Sequence, residues 1–145
     1  MKICLIDDES ICRLIAQKSI EKILPNCETI SFTNGQTAFD FFARHYLLDS
    51  ALPDLIILDI NMPVADGWKF LDMLQGLDLS GYFPRIYISS SSIDTGDVAR
   101  AKTYASVHGY LPKPLNPEML KTIFRDMEIC NLGAARQTKY QHYSF

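Results

Sequence analysis

The chain has 145 residues, 48% of them hydrophobic and 21% charged, with a net charge of -3, which is the size and balance of one globular domain with a sizeable core. The acidic balance and the lack of a Lys/Arg cluster argue against nucleic acid as a direct ligand, because such binding rests on neutralising phosphates. No apolar stretch approaches the roughly 18 residues of a membrane span, and the N-terminus begins a strand instead of a basic leader, so a cytoplasmic protein with protein partners and no membrane contact is expected.

The first apolar run, Ile3-Cys4-Leu5-Ile6, predicts a strand from Ile3 to Asp7. After Ser10, Ile11, Leu14, Ile15, Ile20, Ile23 and Leu24 trace one helical face, which Pro25-Asn26 ends. Thr29 to Phe32 reads as a second strand, and Asn34-Gly35 turns into a helix carrying Ala38, Phe41 and Phe42. Leu55-Ile56-Ile57-Leu58 predicts a third strand, Leu55 to Asp59, buried on both faces, since a continuous run with β-branched members is the pattern of a parallel sheet. A helix with Trp68, Phe70, Leu71 and Leu74 follows Asp66-Gly67, with Trp68 expected in helix packing; Gly76 to Pro84 returns the chain to a strand over Arg85 to Ile88. A fourth helix is expected from Asp97 to Ala105 and a fifth strand over Gly109 to Leu111. The fifth helix opens at Asn116-Pro117, a cap followed by proline at the first helical position.

Such strand–helix alternation predicts an α/β domain, a parallel sheet covered by helices on both faces and joined by right-handed crossovers. The domain is expected to span residues 1–130, leaving 131–145 as a tail whose Tyr140, Tyr143 and Phe145 could form a docking peptide or simply a terminus. Cys4, Cys12, Cys27 and Cys130 have neither CxxC nor framework spacing and are expected to be reduced thiols. His45, His108 and His142 are scattered and expected at the surface.

In open α/β sheets ligands bind beyond the carboxyl ends of the strands, so Asp7, Asp8 and Asp59 should open into one crevice, with Asp66 in the turn beyond. Two carboxylates about 5 Å apart repel by about 3 kcal/mol at an effective dielectric near 20. A cation answers that repulsion, and oxygen-only ligands suit a hard ion, Mg²⁺ in particular. For Asp8 and Glu9 a helix-capping role is the alternative.

The segment Leu58-Asp59-Ile60-Asn61-Met62-Pro63-Val64-Ala65-Asp66-Gly67, with Asp7-Asp8 before it and Lys113-Pro114 after it, resembles the receiver domain of two-component response regulators, from Lys2 to about Cys130. The resemblance implies a flavodoxin-like three-layer sandwich with a five-stranded sheet of order 2-1-3-4-5 and five helices. It implies that Asp59 is the phosphoacceptor, that Asp7, Asp8, Asp59 and Asn61 (through its backbone carbonyl) hold Mg²⁺, and that Lys113 pairs with the phosphoryl group. Ser89 matches the switch hydroxyl, with Ser90, Ser91 and Ser92 as competing candidates, and Tyr110 matches the aromatic that moves with it, exchanging an exposed for a buried ring. Lys113-Pro114 matches the family's cis-peptide site.

These expectations amount to a single-domain switch, not an enzyme beyond its own phosphorylation and dephosphorylation. It would take a phosphoryl group from a sensor histidine kinase or a histidine phosphotransfer protein and act on a downstream protein target, as a monomer or a phosphorylation-dependent dimer. The rivals are a phosphorylation-independent binding module and an aspartate-dependent phosphohydrolase of the haloacid dehalogenase type. The second is disfavoured because that family places another acid two residues after the nucleophile, where this chain has Asn61.

Overall fold

A computed structural model describes residues 1–48, 51–79, 81, 82 and 84–131. The aromatic tail, His142 and the side chain of Cys130 lie outside the described residues. Five strands, β1 (Lys2–Ile6), β2 (Glu28–Phe32), β3 (Leu55–Asp59), β4 (Arg85–Ser90) and β5 (Val107–Pro112), alternate with α1 (Ser10–Ile23), α2 (Gly35–His45), α3 (Gly67–Gln75), α4 (Thr95–Ala101) and α5 (Pro117–Asn131). All neighbouring strands are parallel, in the order β2-β1-β3-β4-β5. Pro112, with no N–H to donate, lies in an edge strand where that costs no ladder bond on the outer side.

The pleat sends alternate side chains to opposite faces, and each face has its own core. Cys4, Ile6, Ile56, Leu58, Ile86 and Ile88 pack beneath α2, α3 and α4, around Phe42, Phe70 and Leu71. Ile3, Leu5, Leu55, Ile57, Tyr87 and Leu111 pack beneath α1 and α5, around Ile20, Leu120 and Phe124. Every residue of β3 is buried, as a central strand covered on both faces requires.

Three helix starts carry the expected chemistry. Asn34 Oδ1 accepts from Thr37 N–H, Asp66 Oδ1 from Lys69 N–H, and Asn116 Oδ1 from Met119 N–H. Asp66 is thus a cap, not a member of the acidic crevice.

Three readings are corrected. The apolar face of α1 is divided: Ala16 and Ile20 are buried, but Ile11, Leu14 and Ile15 are 70%, 55% and 44% exposed. Only the later turns of α1 lie over the sheet. The fourth helix begins at Thr95 instead of Asp97 and ends at Ala101 instead of Ala105, because Asp94 accepts from Gly96 N–H and starts the helix earlier. His45 and His108 are half-buried: the His45 ring stacks on Phe41 at 4.4 Å, and His108 Nδ1 lies 2.9 Å from Ser106 O. Burial pushes the His108 imidazole below its ordinary pKa.

Candidate phosphoacceptor site

Side-chain parity builds the site. Asp7 and Asp59 follow Leu5 and Ile57 two residues on, so they share the α1/α5 face beyond the strand ends, and the β3–β4 register sets Asp59 directly opposite Ser89. These three line one pocket with Cys12, Ile15 and Lys113. Lys113 Nζ reaches Asp7 Oδ2 at 2.7 Å, Asp59 Oδ2 at 3.1 Å and Glu9 Oε1 at 3.5 Å. Its side chain is only 8% exposed, so the two short pairs are far less screened than a surface bridge would be.

The electrostatics follow from burial. Asp59 is 3% exposed, and desolvation raises its pKa; the Asn61 N–H at 3.0 Å from Oδ1 and the Lys113 ammonium offset this only in part. For Lys113, burial acts to lower the pKa, but the hydrogen bonds and charges of Asp7 and Asp59 outweigh it and hold the ammonium above its ordinary range. Lys113 stays protonated across the physiological range, and burial makes the charged form of Asp59 costlier than in water.

One oxygen each from Asp7, Glu9 and Asp59 lie within 4.8 Å of one another, a spacing that a single hard cation can span with oxygen ligands at 2.1–2.6 Å. Asp8 is exposed at the bend before α1 and is not in this group. It does not cap the helix either: the N-cap is Glu9, which makes no side-chain cap bond, while Asp7 Oδ1 accepts the Glu9 N–H at 2.8 Å. Glu9 is the acidic neighbour that sequence reasoning left aside as a cap. No spacing rule distinguishes it from Asp8, because the bend at position 8 decides which carboxylate turns inward.

Ser89 is 3% exposed, and its Oγ is buried without a hydrogen-bond partner. Such an orphan is rare, since buried polar groups are almost always paired, and its hydroxyl is free to bond an oxygen entering the pocket it lines. Among the competing serines, Ser91 and Ser92 are exposed, and Ser90 points to the opposite face. There its Oγ accepts the Ser92 N–H at 3.2 Å. Tyr110 is already inward in this structure, 9% exposed, with its hydroxyl donating to Ser92 O at 3.2 Å. Ser89 and Tyr110 thus occupy opposite faces of the sheet, with the β4 backbone between them. Sequence reasoning could place Ser90 only among the competing switch hydroxyls, because the parity of four consecutive serines is set only by the register.

The Lys113-Pro114 bond is cis. In the loop after β3, Gly67 packs so tightly that an added Cβ would stand 2.5 Å from Asp59 O, which is why glycine follows the Asp66 cap. Val64 in the same loop has φ 70° and is 85% exposed, a strained conformation for a β-branched residue.

A doubly covered parallel sheet with a strand-end aspartate, a buried lysine and an orphaned hydroxyl around one acidic pocket is the architecture of a phosphoacceptor signalling domain. The chain belongs to the response regulator receiver domain family, which it matches over residues 3–125. It is 31% identical over 125 residues to the two-component response regulator ORR24 of Oryza sativa subsp. indica, covering 86% of this chain and 18% of that one. It is 35% identical over 119 residues to the nitrate/nitrite response regulator protein NarL of Escherichia coli, covering 81% and 50%. A two-component response regulator structure from Cytophaga hutchinsonii superposes with TM-score 0.78 at 28% identity, covering 88% of this chain and 96% of that one. The chain therefore spans about a fifth to a half of the length of these two curated relatives. No helix among the described residues is long and apolar enough to cross a membrane.

Proposed function

We propose that this chain is a phosphorylation switch in which Asp59 accepts a phosphoryl group from the phosphohistidine of a sensor kinase or a phosphotransfer protein. The observation that carries the reading is the buried, unpartnered Ser89 Oγ facing Asp59 across the β3–β4 register, with Lys113 3.1 Å from the same carboxylate. An Asp59 oxygen attacks phosphorus; the P–N bond of the donor breaks, its electron pair returns to the imidazole, and a P–O bond forms on Asp59. Lys113 turns from Asp59 toward the new phosphoryl oxygens, and Ser89 Oγ donates to another.

The donor set fits a hard cation, with Asp7, Asp59 and the Asn61 carbonyl as first ligands and Asp8 or Glu9 as the third acid; Mg²⁺ bound there would offset the charge of the transferring group. Glu9 already faces the group, whereas Asp8 has to turn inward. The exposed Ile11, Leu14 and Ile15 on α1, beside this pocket, offer the donor protein an apolar contact surface. Phosphorylation then alters the β4–α4 segment through Ser89, and a downstream protein reads the change. Residues 1–130 form the switch and 131–145 a tail, in a cytoplasmic protein that is a monomer or dimerises on phosphorylation.

Incubation with a small acyl-phosphate donor and Mg²⁺, followed by intact mass, tests the reading: one phosphoryl adduct is expected on the wild type and none on Asp59→Asn. An adduct of equal yield on the variant overturns the acceptor assignment. No adduct on the wild type favours a binding module that keeps the fold without the chemistry.

A further inference from the structure

The two ends of α4 are held very differently. Ser91 to Gly96 are all exposed, including Ile93 at 65%. At the far end Ala101 is completely buried and Tyr104, in the turn just after the helix, is 7% exposed. That turn is tightly bonded, with Thr103 and Tyr104 N–H groups donating to Arg100 O and Ala101 O at 3.0 and 3.1 Å.

Four side chains tie this end to α3. The Tyr104 ring stacks on Trp68 with centroids 5.9 Å apart and planes 24° apart, and the Arg100 guanidinium lies 4.5 Å from the centroid of the same indole. The Tyr104 hydroxyl donates to Asp72 Oδ1 at 2.7 Å. Trp68 is itself fixed, 8% exposed in the first turn of α3, next to the Gly67 that packs against Asp59.

We propose that Trp68, Asp72, Arg100 and Tyr104 form a hinge pin, so that switching swings the N-terminal half of α4 about its anchored C-terminal end instead of displacing the whole helix. The inference rests on the phosphorylation reading above and deepens it, by saying which part of the output element moves. An interface that clasps the aromatic pair from one side and the carboxylate from another is a discrete arrangement, and packed elements of this kind shift between states instead of deforming continuously. The exposed half, tied to the sheet by the Ser92 hydrogen bonds to Tyr110 and Ser90 and by the partly buried Asp97 and Val98, is the half freer to respond.

The test uses the full chain with an acyl-phosphate donor and Mg²⁺, with intact mass checked first so that failure of phosphorylation is seen separately. Amide hydrogen exchange is then followed for residues 91–98 and 99–106, together with emission from Trp68, the chain's sole tryptophan. Phosphorylation should change exchange over 91–98 several-fold and leave both 99–106 and the Trp68 emission unchanged. In the double variant Arg100→Gln/Tyr104→Phe, which keeps the buried ring, the change should spread to 99–106 and the emission should shift. Equal changes over both segments in the wild type, or a double variant that behaves like the wild type, overturns the hinge. Should the wild type take no phosphate, the hinge is judged on unphosphorylated protein: the double variant should exchange several-fold faster over 99–106 only, and unchanged exchange there overturns it.

Discussion

The acceptor end of β1 and β3 and the segment that starts at Ser91 both leave the carboxyl ends of the strands, yet they are built on opposite terms. The strands are buried on both faces and present Asp7 and Asp59 on a frame that cannot yield without opening two cores. The β4–α4 segment is short, exposed along its first half, and joined to the frame through a few polar and aromatic contacts. On the proposed reading, chemistry that needs atoms held to a fraction of an ångström falls on the first, and movement on the second. Low local stability is what allows an element to respond.

That contrast can be broken most directly by truncation. Leu58→Ala, in a strand with no exposed residue, should cost about 3–4 kcal/mol from lost burial and the cavity left behind. Ile93→Ala, in the exposed segment just before α4, should stay within about 0.5 kcal/mol. Chemical denaturation of the pair measures both, and similar costs would show that the two regions are equally constrained.

Lys113→Met should be the next largest, at roughly 3 kcal/mol in Mg²⁺-free buffer, because it leaves Asp7 and Asp59 facing each other without their shared cation. Added Mg²⁺ should recover part of that loss, and a denaturation midpoint insensitive to Mg²⁺ would argue against a cation at these carboxylates. Comparing Mg²⁺ titrations of Asp8→Asn and Glu9→Gln then sharpens the site: the third ligand is whichever change weakens binding.

Val64→Asn should stabilise by about 0.5–1 kcal/mol, since asparagine tolerates the left-handed backbone and the valine side chain buries almost nothing. A loss of stability would mean that Val64 makes packing its exposure conceals.

The smallest effect is a pH dependence. Asp59 has its pKa raised by folding, so its contribution favours the native state at low pH and is lost as pH rises through the raised value. Asp59→Asn in Mg²⁺-free buffer should therefore be more stable than wild type at neutral pH, with the gap closing as pH falls through that value toward the ordinary aspartate range. A gap that widens on acidification would reverse the sign of the shift.

How much of this was readable beforehand follows the same division. β3 announced itself because a strand buried on both faces needs an unbroken apolar run, and the bounds Leu55–Asp59 are those the sequence predicts. Asn34, Asp66 and Asn116 were legible as helix starts because their capping is local chemistry. The family motif pointed to Asp59 and Lys113, which the fold brings to 3.1 Å across 54 residues of chain. What failed to show was what tertiary placement decides. Ile11, Leu14 and Ile15 have helical spacing, but spacing cannot say that the first turns of α1 overhang the sheet. The start of α4 has little apolar periodicity to mark it. Ser89 and Ser90 differ only in which face the register assigns them, and the bond across Tyr104 and Asp72 joins residues 32 apart with no sequence signal between them.

The central claim is that a phosphoryl group on Asp59 is read by Ser89 and passed through β4 to Tyr110. Its most direct measurement is NMR of wild type and Ser89→Ala, with Mg²⁺ and a phosphoryl mimic such as beryllofluoride. Both proteins should bind the mimic at Asp59; in the wild type the resonances of Ser90, Ser92 and Tyr110 should shift, and in Ser89→Ala that response should be much reduced. The same Tyr110 response in both proteins would contradict the account, because the signal would then reach β4 and β5 without the hydroxyl that faces the acceptor.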